Sequence, residues 1–162
     1  ASMTSNERKP TMATPFNKQS FTQRLEAMGD EAEGEYERHN THWVRYGLNR
    51  PDFPVHHLPD VVRYTPDYLQ GPPNQRLVEV LGTGRNGVKL KLEKIAALAV
   101  WNTMMPVWLW IWSTPKQDFT EILYADLVRI INKEDVPLGK FSEGKAYFNV
   151  RPSLLRWAAD GG

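Results

Sequence analysis

The sequence predicts an α/β domain in which a central mixed sheet is flanked by helices. Apolar residues between 21 and 43 recur at spacings of three and four, which is the helical period. "VVRYTPDYL" and "QRLVEVLG" are short segments rich in β-branched and aromatic residues, parted by the turn-forming "QGPPN". "PVWLWIW" has no polar alternate position, as suits a strand covered on both faces. A chain of 162 residues, 41% of them hydrophobic, fits one domain and can close one core, and a second domain is not expected. Residues 1–19 are polar, with two prolines and no period, and read as a flexible N-terminal arm before a single domain over 20–162.

Each element follows from its pattern. Phe21, Leu25, Met28, Ala32, Tyr36, His39 and Trp43 form one face of a helix of about six turns, with Ser20 as cap. The other face is acidic, with Glu26, Glu31, Glu33, Glu35 and Glu37. Prolines in "RPDFPVHHLPD" stop any helix there. The two β-rich segments then read as paired strands, and "TGRNG" as another turn. "VKLKLEKIAALAVWN" alternates and then turns apolar, predicting a short extended entry to a helix over 90–102, before the strand "PVWLWIW". "TEILY" reads as an edge strand followed by a helix from Ala125 with Asp126 as cap, although one long helix also fits that stretch. "KAYFNV" reads as a strand and "PSLLRWAADGG" as a terminal helical turn.

Composition narrows the function classes. The absence of cysteine removes thiolate metal sites, disulfides and Cys nucleophiles, and suits a reducing cytoplasm. The apolar run "IAALAVWNTMMPVWLWIW" is broken by Asn102 and Pro106, so no membrane span is expected, and "ASMTSNERKP" has no signal-peptide core. A net charge of +1 makes no global case for nucleic acid, but Arg85, Lys89, Lys91 and Lys94 face Glu93 alone in one short stretch.

The chemistry centres on Asp67 and Glu79. Eleven residues lie between them, yet pairing of their two strands brings the carboxylates together. Hard cations such as Mg2+ take oxygen ligands, usually one or two carboxylates with water and phosphate. A carboxylate within the apolar "LVEVLG" needs a partner, which is a metal or else Arg63 or Arg76, unless Glu79 faces solvent.

A helix carrying "GDEAEGE", a "PD", then "VEVLG", a basic turn, a helix and an apolar strand come in an order that resembles the PD-(D/E)XK nuclease superfamily. The pattern also looks like that of small phage nucleases and archaeal Holliday-junction resolvases, and covers about residues 20–112. "PD" alone occurs three times, so the order carries the likeness. The resemblance implies a restriction-endonuclease-like core and Mg2+- or Mn2+-dependent hydrolysis of DNA, branched DNA included. By the same likeness the setting would be bacterial or phage-infected cytoplasm, and the working unit a homodimer. It makes Asp67 and Glu79 metal ligands, the Val80 carbonyl a third, and Glu33, four residues after Gly29, a carboxylate acting through water.

Leu81 departs from the pattern, because the superfamily places a lysine there to orient the attacking water and stabilise charge on the phosphate. Lys91 and Lys89, on one face of an extended segment that the glycine-rich turn can fold back beside Glu79, are expected to replace it ahead of Lys94. The same lysines and Arg85 would contact the DNA backbone. The rival reading is a nuclease-fold module that has lost catalysis and binds DNA or a protein partner; a third is a host-protein binder using the acidic helix face.

Other features suit structure better. The four histidines lack a zinc-site spacing, and "GTGRNG" lacks the context of a nucleotide fingerprint. Trp108, Trp110 and Trp112 share one strand face and read as core.

Overall fold

A five-stranded mixed sheet carries helices on both sides, and a second, three-stranded sheet closes one of those sides. The structure, a computed structural model, describes residues 21–48 and 51–161; the arm read over 1–19 and the Ser20 cap lie outside them. The described chain runs α1 (Phe21–His39), β1 (Trp43–Arg45), α2 (Asp60–Arg63), β2 (Tyr68–Gln70), β3 (Arg76–Thr83) and β4 (Val88–Lys91). It continues with α3 (Leu92–Met104), β5 (Val107–Ser113), β6 (Asp118–Leu123), α4 (Tyr124–Lys133), β7 (Leu138–Lys140) and β8 (Ala146–Val150).

The large sheet has the order β1-β2-β3-β5-β6, with β3 and β5 parallel and the other pairs antiparallel. Between β3 and β5 the chain passes through β4 and α3, the crossover that a parallel pair requires. Alternation along the strands sends Val78, Val80, Trp110 and Trp112 to α1, where they pack on Ala32 and Tyr36. Leu77, Leu109 and Ile111 face the other way, into a core with Leu98 of α3, Leu127 and Ile131 of α4, and Val88, Leu90 and Val150 of the small sheet. Trp110 and Trp112 are therefore core, stacked 6.2 Å apart at their ring centroids.

Several expectations shift. The first helix stops at His39, and Trp43 lies in β1, because His42 takes a positive φ of 58° that turns the chain into the sheet. "VVRY" is not extended: Asp60–Arg63 form a helical turn behind Pro59, and β2 begins only after Asp67. The helix predicted over 90–102 spans Leu92–Met104. The edge strand and following helix are present as β6 and α4, but Asp126 sits inside the first turn and accepts from Arg129 instead of capping. Among the described residues no helix is long and apolar enough to cross a membrane.

The turn "GTGRNG" begins as a hairpin with one bridge, Gly84 to Gly87, and then the strands part. β3 already has β2 and β5 on its two edges, so β4 cannot pair beside Glu79 and joins β8 in the small sheet instead. That divergence relocates every lysine on β4.

Candidate active site

Asp67 stands at the head of β2 and Glu79 in the middle of β3. The Asp67 carbonyl accepts the amides of Tyr46 at 2.8 Å and Gly47 at 3.2 Å, which fastens the head of β2 to the loop after β1. A Cβ at position 47 would lie 2.6 Å from the Thr65 carbonyl oxygen, so only glycine allows this approach. The Asp67 carboxylate in turn accepts the Val80 amide at 2.9 Å, across the gap to β3. Amide and carbonyl of one strand residue point the same way, so the Val80 carbonyl also turns to the Asp67 side.

Glu79 is only 5% exposed. Its Oε1 meets Lys94 Nζ at 3.1 Å, while its buried Oε2 has no hydrogen-bond partner. Arg63 and Arg76 are not its partners: Arg76 binds Gln70 and Glu121, and Arg63 lies over the Tyr64 ring. Lys94 comes from the first turn of α3, and its ammonium also lies 5.6 Å from the Tyr64 ring centroid. The Tyr64 hydroxyl donates to Glu93 Oε1 at 2.7 Å, and Lys145 reaches the same oxygen at 3.0 Å.

Electrostatics bind these groups into one unit. Burial, and then the negative charge of Glu79, pushes the Asp67 carboxyl well above its ordinary range, although Lys94 and the Val80 amide pull against it. Burial likewise raises Glu79, opposed by Lys94. For Lys94, burial favours the neutral amine, but Glu79 and Asp67 outweigh it and hold the ammonium. The two carboxyls and the ammonium are therefore linked through charge, each bearing on the others' protonation.

Glu33 of α1 stands behind the pair, near enough for its charge to raise both carboxyls. Arg45 of β1 clamps it at 2.9 Å and donates to the Tyr68 hydroxyl at 2.8 Å, and that hydroxyl donates to Glu37. The remaining basic residues lie elsewhere. Lys89 and Lys91 extend from the small sheet toward Phe141, Tyr147 and Glu143, and Arg85 is exposed in the turn. The expectation that Lys89 or Lys91 would fold back beside Glu79 is corrected: β4 leaves β3 after a single bridge, and Lys94 holds that place.

Among the described residues no three His, Asp or Glu side chains converge as a ready-made metal cluster. His39 packs against Trp110, Trp112 and Phe119, and His56 and His57 contact each other, so the histidines bring no ligand to Asp67. The donor set still fits a hard cation, since two acidic oxygen ligands face one space and one carboxylate oxygen is buried and unpartnered. No pattern in the sequence singles out Arg45 or Tyr64. Tyr64 precedes the Pro66-Asp67 pair along the chain, but nothing local says that its ring meets Lys94.

In comparisons with known proteins, the chain matches no family model, no curated protein and no solved structure.

Proposed function

We propose that the protein is a metal-dependent nuclease that hydrolyses phosphodiester bonds in DNA, with Lys94 taking the part of the lysine missing at Leu81. One observation carries this reading: Lys94 Nζ lies 3.1 Å from Glu79 Oε1 while Glu79 Oε2 is buried without a partner, and the charge of Glu79 reaches the buried Asp67 carboxyl. A structural ion pair alone would not require a second, strongly perturbed carboxyl against it. Acids whose protonation is shifted by burial and by each other gather at functional sites more than elsewhere.

The order of α1, Asp67 at the head of β2, Glu79 on β3, the α3 crossover and apolar β5 supports a restriction-endonuclease-like core. In this reading Asp67, Glu79 and the Val80 carbonyl hold Mg2+ or Mn2+. Bound there, the cation supplies neutralisation of the scissile phosphate and a lower pKa for the attacking water.

The chain's own groups do the rest. Lys94, kept as an ammonium by the two acids, donates hydrogen bonds to the water and to the phosphate oxygens as charge grows on them. Glu33, fixed by Arg45, orients solvent behind the carboxylates. Water oxygen bonds to phosphorus as the bond from phosphorus to the leaving oxygen breaks; the proton the water loses passes to solvent, and the leaving oxygen takes one from solvent. The cysteine-free chain suits a reducing cytoplasm as its workplace, and two copies would cut the two strands of a branched substrate.

The test is cleavage of labelled single-stranded, duplex and four-way DNA with Mg2+, Mn2+ or EDTA, beside Asp67→Ala and Glu79→Ala proteins purified identically. Metal-dependent cutting that both substitutions abolish supports the reading. A folded parent that binds metal but cuts none of the substrates overturns it and leaves the binding module without catalysis.

A further inference from the structure

The small sheet has two unlike faces. Val88, Leu90 and Val150 point into the core, while alternation turns Lys89 and Lys91 of β4, and Tyr147 of β8 opposite Lys91, outward. On the other side of β8, Gly139 lies opposite Tyr147, and a Cβ there would come within 2.6 Å of the ring. The glycine thus lets Tyr147 lie across β7. Phe141, in the turn after β7, stands 4.3 Å from Tyr147 between ring centroids. Lys89 Nζ is 5.4 Å from the Tyr147 centroid and Lys91 Nζ 5.4 Å from that of Phe141.

The result is two half-exposed rings in contact with each other, with lysine ammoniums over them, on the face turned away from the core. Among the described residues named here, cations outnumber anions on it. Lys89, Lys91, Lys145 and Arg63 stand with Glu143, which is 3.9 Å from Lys91, and Glu93; burial, and then the charges of Lys145 and Arg63, weigh against the ammonium of Lys91, opposed by Glu143. Along the chain this face adjoins the candidate active site. Lys91 is the last residue of β4, and Glu93, gripped by Lys145, is the neighbour of Lys94.

We propose that this outer face is a stacking platform for the unpaired strand of DNA, with bases on Phe141 and Tyr147 and phosphates on Lys89, Lys91 and Lys145. The strand continues from there to Asp67, Glu79 and Lys94. The proposal rests on the nuclease reading and adds its substrate class: DNA with a single-stranded segment. Rings offer a flat apolar surface to any base, whereas a duplex keeps its base faces stacked on one another and presents only phosphates. Lysines around the rings suit a polyanion better than a neutral partner.

Fluorescence anisotropy with a labelled oligo-dT, and with a duplex of the same length, tests this in EDTA, where no cutting occurs. The oligo-dT should bind more tightly than the duplex. Tyr147→Ala and Phe141→Ala should each weaken oligo-dT binding by about 5- to 150-fold, the range for losing one stacked base, while Tyr147→Phe binds as the parent. Lys89→Gln should reduce the slope of log affinity against log salt by about 0.7, the value for one phosphate contact on a single strand.

Parent-like oligo-dT binding by both alanine variants, with circular dichroism showing them folded, overturns the platform; so does tighter binding of the duplex. If Tyr147→Ala does not fold, Phe141→Ala, in a turn, decides alone. The two readings fail separately. Tyr147-dependent binding without metal-dependent cutting leaves the platform and removes the nuclease. Cutting of single-stranded DNA with an unchanged KM in Tyr147→Ala and Phe141→Ala leaves the nuclease and removes the platform.

Discussion

Lys94 reaches Glu79 from a different element, fifteen residues along the chain, and their charged atoms lie 3.1 Å apart. Leu81, two residues from Glu79 on the same strand face, instead packs partly buried against the main core. A catalytic ammonium has to be near the phosphate, and the element that delivers it is free to vary. α3 can deliver it because its first turn abuts the face of β3 that Glu79 shares with Leu77 and Leu81.

Exchange of these two positions is the sharpest test of the site. Lys94→Met removes the ammonium and keeps an unbranched side chain, and metal-dependent cleavage should fall by about 10²- to 10³-fold. Leu81→Lys placed in that background restores a cation on the same strand face as Glu79 and should recover about tenfold of the loss in a single-turnover assay. A double variant no better than Lys94→Met would remove Lys94 from catalysis.

Asp67 should lower stability in the metal-free protein. Its folded pKa is raised above the ordinary 3.8, so the folded chain holds a proton that the unfolded chain releases, and stability falls as pH rises above about 4. A side-chain amide at this position has no such proton to hold, and Asp67→Asn should therefore be more stable than the parent at neutral pH in EDTA. The difference should vanish below about pH 4. Thermal melts read it, since each kcal/mol moves Tm by about 2–4 °C at this size. Equal pH slopes for parent and variant would contradict the burial of this acid.

The same protons must leave when a cation enters. Mg2+ or Mn2+ binding should release protons, with heats that differ between buffers of different ionisation enthalpy. Affinity should rise by about tenfold per pH unit for each proton released while the acid pair remains protonated. Calorimetry at a series of pH values above about 4 checks this, and affinity independent of pH across the whole series would place the ion elsewhere.

Glu31 provides a contrast, because it holds the fold and not the site. It accepts from Trp112 Nε1 at 3.0 Å and from Thr114 Oγ1 at 2.7 Å, pinning α1 to the end of β5. Burial would raise its carboxyl, but these bonds and one from Gln117 win and hold it low. Glu31→Ala strands the Trp112 donor and should cost about 1–3 kcal/mol in denaturant unfolding, with cleavage unchanged below the melting temperature. Stability from this residue is present above its ordinary 4.5 and is lost as pH falls through the lowered value.

Local pattern determined much of this protein on its own. The 3.6-residue period of α1, the unbroken apolar run of β5 and the turn residues before β3 each record a neighbour-to-neighbour preference, so they are legible one window at a time. Asp67 and Glu79 were legible as a pair for the same reason, since adjacent strands joined by a short turn must meet. Lys94 was not. Periodicity puts Lys89 and Lys91 on one strand face but cannot say which sheet that strand joins. Only the tertiary structure decided it: with both edges of β3 occupied, β4 had to pair with β8, which carried its lysines to Phe141 and Tyr147 and left the first turn of α3 over Glu79. Backbone hydrogen-bonding capacity, a property of the whole sheet and of no single segment, set where the charges lie.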